Sequence, residues 1–134
     1  SVLSPSAPAP MESVVFFKPA SGSISQKFAP AKDHFGITIR TGAKATISAT
    51  LEGVVIYAGL DVKTGYTMQI QHKNGFISIY KNNTLLLKKL GDKVQTGEAI
   101  AVIEDKNEGK STSSLEFELW YKGSAVNPES YISF

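Results

Sequence analysis

The segment Lys73-Asn74-Gly75, set between the runs Tyr66 to His72 and Phe76 to Tyr80, is the strongest local constraint in the chain. Asn-Gly tolerates the positive φ that a tight hairpin turn demands, so the two flanking runs are expected to pair antiparallel. Runs of the same kind recur on both sides. Val14-Val15-Phe16-Phe17 is β-branched and aromatic and stops at Pro19, Ile24 to Phe28 follows a Ser-Gly-Ser turn, and Phe35 to Arg40 alternates Phe, Ile and Ile with Gly, Thr and Arg. Thr46 to Ala49, Gly53 to Ala58, Ala99 to Glu104 and Leu115 to Tyr121 continue the series, with a short apolar stretch at Leu85 to Leu90. Alternation with a period of two marks strands that bury one face. No run of about ten residues carries a 3.6 period, so helix is expected to be minimal. The chain reads as all-β, with short antiparallel strands joined by turns in one barrel-like or sandwich core.

A length of 134 residues supports one domain with a hydrophobic core. Ser1 to Pro10 is rich in Pro, Ala and Ser and has no face to bury. Residues 1–11 are therefore expected to be an extended linker that tethers the domain, residues 12–134, to something upstream. Glu108-Gly109-Lys110-Ser111-Thr112 reads as a polar loop. With 19% charged residues and a formal net charge of +2, the chain implies no general polyanion-binding surface, which argues against nucleic acid as a partner. Cysteine is absent, which excludes disulfides, Cys-based zinc sites and thiol nucleophiles. No apolar run approaches the roughly 18 residues that would span a bilayer.

Three local motifs carry less than they first suggest. Lys63-Thr64-Gly65-Tyr66 and Glu108-Gly109-Lys110-Ser111 place Gly near Lys, but neither has the spacing of a phosphate-binding loop nor opens a helix. Gly91-Asp92-Lys93-Val94-Gln95-Thr96-Gly97 resembles the corner of lipoyl, biotinyl and other folds built from the same hybrid barrel motif. No Lys sits at an exposed hairpin tip as a lipoyl domain needs, so this stretch is a fold marker. Only two histidines are present, His34 and His72. His72, beside the hairpin turn, reads as a structural residue, and no Gly-x-Ser-x-Gly elbow accompanies either.

The order of the segments is more informative than any one of them. His34 to Ile37, Gly53 to Gly59, Gly65-Tyr66 leading through Gln69 to Gly75, Ile79-Tyr80, Leu90 to Ile100, Leu115 to Glu118 and Val126 to Tyr131 follow one another as in a known family. Phe28 through Phe134 resembles the β-sheet core of the LytM/lysostaphin-type zinc peptidases, which cleave peptidoglycan peptides. The resemblance implies a zinc site whose first ligand is the His of His-x-x-x-Asp, and a spacing of four returns to the same face of a strand. Here those positions are His34 and Thr38. The family's third ligand falls on Glu116, and its two catalytic histidines fall on Ser114 and Asn82.

Zinc hydrolysis needs at least three protein donors, an open position for water and groups that serve the transition state. The resemblance therefore implies a degenerate member that lacks most of the zinc and catalytic set, binds no cofactor and is not an enzyme. The expected function is a domain of the bacterial cell envelope that binds a partner protein or peptidoglycan through the former active-site groove and regulates a cell-wall hydrolase. The partner would be an envelope protein such as a cell-wall amidase, or peptidoglycan itself. The location would be periplasmic or extracytoplasmic. Groove contacts are expected from His34, Tyr66, Tyr80, Asn82, Ser114, Glu116 and Trp120. The alternative is a divergent zinc endopeptidase that holds its metal through His34 and Glu116, with Thr38 as a weak third donor.

Overall fold

The computed structural model describes residues 14–104 and 113–134. The expected linker at 1–11 and the expected loop at 108–112 lie outside the described residues. Eleven strands run in order: β1 (Ser23–Gln26), β2 (Ile37–Arg40), β3 (Lys44–Ser48), β4 (Gly53–Asp61), β5 (Gly65–Gln71), β6 (Phe76–Asn83), β7 (Leu85–Leu86), β8 (Lys93–Val94), β9 (Ala99–Glu104), β10 (Ser114–Tyr121) and β11 (Ser124–Val126). Two single-turn 3-10 helices, Pro30–Lys32 and Pro128–Ser130, are the helical content of the described residues.

Eight strands form one antiparallel sheet in the order β1-β2-β10-β6-β5-β4-β8, with β11 added to β10; β3-β9-β7 form a second, smaller sheet. The core lies between them. Ile47, Ala101 and Ile103 of the small sheet face Ile37, Val55, Met68, Ile70, Phe76, Tyr80, Leu115, Phe117 and Leu119 of the large one, all essentially buried. Strand β10 shows how the sequence sets this up. Leu115, Phe117 and Leu119 are fully buried while Ser114, Glu116, Glu118 and Trp120 between them reach the other face. Each buried side chain of that kind contributes about 1.5–3 kcal/mol, and a slip of one residue would turn all of them outward.

The hairpin expected at Lys73-Asn74-Gly75 joins β5 to β6 antiparallel, with the His72 N–H donating to the Phe76 carbonyl at 2.9 Å. Gly75 alone in that turn takes a positive φ, 89°; Asn74 does not. The glycine corner takes positive φ at Gly91 and Gly97, 91° and 82°, as a tight turn there requires. The Gly91 N–H donates to the Val55 carbonyl and the Gly97 N–H to the Ala49 carbonyl, both at 2.8 Å.

Two expected elements differ. Val14 to Phe17 forms no strand. Its Phe17 N–H donates to the Thr50 carbonyl at 2.8 Å, Phe16 packs edge-on to Phe76 at 5.2 Å, and Pro19 offers no N–H to extend a ladder. Phe16 is buried in the core and Val14 packs against it, while Val15 and Phe17 are exposed. Of the stretch Leu85 to Leu90 only Leu85–Leu86 pairs as a strand, and Leu85, Leu87 and Leu90 are exposed.

Candidate functional site

Strands β2 and β10 lie side by side with Thr38 opposite Glu116, and β6 lies on the other side of β10 with Lys81 opposite the same Glu116. Antiparallel partners share a face, so Thr38, Glu116 and Lys81 form a row across the outer side of the large sheet. His34 enters from the bend before β2, four residues ahead of Thr38. Gly36 allows the bend to lie flush on β10, since a Cβ there would sit 2.1 Å from the Phe117 carbonyl oxygen.

The three former ligand positions converge. The Thr38 hydroxyl lies 2.8 and 2.9 Å from the two Glu116 oxygens and 3.2 Å from His34 Nε2, and His34 Nε2 lies 3.5 Å from Glu116 Oε1. His34 Nδ1 is 2.8 Å from the Lys27 carbonyl, which can only accept, so Nδ1 carries a proton and Nε2 is the ring nitrogen that faces Thr38 and Glu116. A histidine held in this way is oriented as a metal ligand would be.

The donor set does not fit zinc. Among the described residues no group of three or more His, Asp or Glu side chains is placed to hold a metal ion. Thr38 supplies a neutral hydroxyl already engaged with the carboxylate, which leaves an imidazole and one carboxylate where a catalytic zinc takes three protein ligands. No catalytic step through a metal follows from this arrangement.

The remaining expected contacts are distributed unevenly. Asn82, at the end of β6 with φ of 75°, donates its Nδ2 to the Ser114 backbone carbonyl at 2.7 Å. This bond brings Asn82 and Ser114 together but spends the Asn82 amide on the fold. Trp120 donates its Nε1 to Glu118 Oε1 at 2.8 Å and stands against Phe35 at 6.5 Å. Tyr66 is exposed but lies outside the walls of the recess at His34.

Tyr80 is corrected: it is no groove contact. Its ring is fully buried, 5.3 Å from that of Phe117, and its hydroxyl accepts from the Thr50 N–H at 3.0 Å. His72, 4% exposed, joins the same internal network. His72 Nδ1 lies 2.7 Å from the Glu52 carbonyl, His72 Nε2 lies 2.8 Å from Ser78 Oγ, and Ser78 Oγ lies 2.7 Å from the Tyr80 hydroxyl. The carbonyl at one end and the N–H at the other fix the direction of every proton between them. His72 donates from Nδ1 and accepts from Ser78, and Ser78 accepts from Tyr80. Burial lowers the His72 pKa from its ordinary value, and burial raises that of Tyr80.

The recess at His34 holds about 190 Å³ and is walled by Asp33, Phe35, Lys81, Glu116 and Glu118 among others. Lys81, Glu118, Asp33 and Phe35 were not among the expected site residues. Lys81 Nζ bonds Glu118 Oε2 at 2.7 Å, so this ion pair is closed within the groove. Glu118 was within reach of sequence reasoning, because it stands two residues from Glu116 on one strand and so shares its face.

Comparison with known proteins agrees with this framework. The murein hydrolase activator NlpD of Escherichia coli is 32% identical over 116 residues, covering 85% of this chain and 30% of that protein. The lipoprotein NlpD of Yersinia enterocolitica is 36% identical over 88 residues, covering 64% of this chain and 88% of that sequence. The chain thus spans about a third of the Escherichia coli protein. A chain from the crystal structure of the SpoIIIAH and SpoIIQ complex superposes with a TM-score of 0.74 at 22% identity, covering 87% of this chain and 99% of that one, and shares the fold. The family model for peptidase family M23 matches residues 32–128, from the bend that carries His34 to the turn after β11, and the chain belongs to that family.

Proposed function

We propose that this domain is a non-catalytic binding module of the bacterial cell envelope that activates a murein hydrolase. The observation that carries this reading is the Thr38 hydroxyl between His34 and Glu116. Side-chain hydrogen bonds join the three positions to which the family resemblance assigns metal ligands. A recess of about 190 Å³ lies beside them, lined by Phe35, Lys81 and Glu118 among others. The relative at 32% identity is named for activating murein hydrolases, which supports the same role here. Its location would be the periplasm or another extracytoplasmic compartment, and the partner a cell-wall amidase.

The test is dye release from labelled cell-wall sacculi by a purified amidase, with and without this chain, and by the chain alone with and without added zinc. The chain alone is expected to release nothing, and with amidase to raise release several-fold. Zinc-dependent release by the chain alone, abolished in His34→Ala, would establish the endopeptidase instead.

A further inference from the structure

We propose that Asn74 is a self-modifying site, at which the backbone nitrogen of Gly75 displaces the side-chain amide and leaves a negatively charged aspartyl or isoaspartyl residue on the hairpin between β5 and β6.

Such a step requires a following residue whose nitrogen is open to the side chain, and an amide that can turn without breaking a bond. Both conditions meet at Asn74. Gly75 has no side chain to crowd the approach, it is exposed, and its N–H makes no hydrogen bond among the described residues. Asn74 Oδ1 is buried without a donor. A buried acceptor left unpaired costs free energy, so turning this amide outward relieves a cost and gives up no bond from its oxygen. The recess of about 320 Å³ that Asn74 lines, with Leu51, Glu52 and Lys73 among its walls, gives room for that turn.

The other asparagines of the described residues differ on each count. Asn82 donates to the Ser114 carbonyl at 2.7 Å, and the residue after it carries a side chain. Asn83 donates to the Tyr66 and Tyr80 carbonyls, both at 3.0 Å, and the Thr84 N–H behind it is engaged by the Val102 carbonyl at 2.8 Å. Asn127 accepts from the Glu129 N–H at 3.1 Å, and Pro128 after it has no N–H to lose. The fold thus ties down three asparagines and leaves one loose beside a glycine.

The Gly75 nitrogen gives its proton to hydroxide and attacks Asn74 Cγ. The bond from Cγ to Nδ2 breaks, and the amide nitrogen takes a proton from water and leaves as ammonia. Water then opens the resulting cyclic imide at either carbonyl. One opening restores the main chain with an aspartyl side chain, and the other routes the main chain through Cγ as isoaspartyl. The balance is one water consumed and one ammonia released. Either product is a carboxylate near neutral pH, beside Lys73. Lys73 also lines the recess that holds Gln71, Lys93 and Gln95, so the new charge offsets one of its two lysines. The isoaspartyl form lengthens the main chain of the turn. That turn is pinned on both sides, by the His72 N–H on the Phe76 carbonyl and the Lys122 N–H on the Gly75 carbonyl, both at 2.9 Å.

The experiment incubates the folded chain in mildly alkaline and mildly acidic buffer and follows each asparagine by peptide mapping, with aspartyl and isoaspartyl forms separated by chromatography. Both forms are expected at Asn74, sooner in the alkaline buffer. Conversion there is expected to be at least about tenfold faster than at Asn82, Asn83 or Asn127, where a hydrogen bond must first be given up. NMR is expected to show the amides of His72, Phe76 and Lys122 shifting on the same time course. Asn74→Gln, whose longer side chain closes its ring slowly, is expected to abolish those shifts. Conversion of Asn74 in urea but not in the folded chain would overturn the proposal, because the fold would then shield the site. So would an aspartyl product without isoaspartyl, which means direct hydrolysis without the Gly75 nitrogen. Earlier conversion at Asn82, Asn83 or Asn127, or full conversion with those three amides unmoved, would overturn it as well.

Discussion

The two histidines of this chain sit in networks of similar chemistry and opposite bookkeeping. Around His72 every hydrogen has one acceptor: the line runs from the Thr50 N–H through Tyr80, Ser78 and His72 to the Glu52 carbonyl, and no group in it is left over. Around His34 one hydroxyl hydrogen faces four acceptors, at a half-open surface. A closed line of donors and acceptors in the interior fixes structure, because each member is satisfied only by the others. An open one at the surface can share its hydrogen bonds with solvent.

The contrast is broken most directly by deletion. His72→Ala takes the donor from the Glu52 carbonyl and the acceptor from the Ser78 hydroxyl and opens a cavity, and is expected to lower the unfolding free energy by about 2–4 kcal/mol in urea denaturation. His34→Ala, at a site with 25% exposed side chain, is expected to cost under about 1 kcal/mol. Equal losses would mean that the two networks do not differ in kind. Tyr80→Phe tests the closed line alone. It keeps the ring among its core neighbours and strands the Thr50 N–H, so a loss of about 1–3 kcal/mol is expected. A change near zero would show that the hydroxyl adds little to ring packing.

The smallest effect is in pH. The pKa of His72 in the folded chain lies below the unfolded value near 6.5, so between these two values the unfolded chain binds a proton that the folded chain refuses. Stability from this residue is therefore full above about pH 6.5 and falls as the pH drops toward the folded value, with a slope of at most about 1.4 kcal/mol per pH unit. Below the folded value the loss levels off. Thermal melts from pH 7.5 to 5 are expected to show this fall, and a His72→Gln variant to lack it; a flat profile in the unaltered chain would count against a buried neutral ring.

How far such distinctions can be read from sequence depends on the element. The alternation on β10 is unambiguous because one face is Leu115, Phe117 and Leu119 and the other carries Ser114, Glu116 and Glu118. On β6 both faces are apolar in part. Phe76 and Tyr80 alternate with Ile77 and Ile79, and the polar Ser78 lies in the buried set, so Tyr80 could not be placed by pattern and was assigned to the groove. Strands β8 and β11, two and three residues long, are too short to show a period at all. The convergence of His34, Thr38 and Glu116 was legible through the family resemblance. The hydrogen bonds among them were not, because they depend on which way each donor points, and the Lys27 carbonyl that orients the His34 ring belongs to a segment with no motif of its own.

Gly36 adds a mechanical side to this. Its missing side chain is the clearance that lets one stretch of backbone rest on the Phe117 carbonyl, and so fixes how far His34 stands from Glu116. The backbone pairing of Thr38 with Glu116 is independent of what the facing side chains do. The frame therefore works like a jig with interchangeable jaws: gap and alignment belong to glycine and main chain, and the side chains that face across it can be exchanged without resetting either.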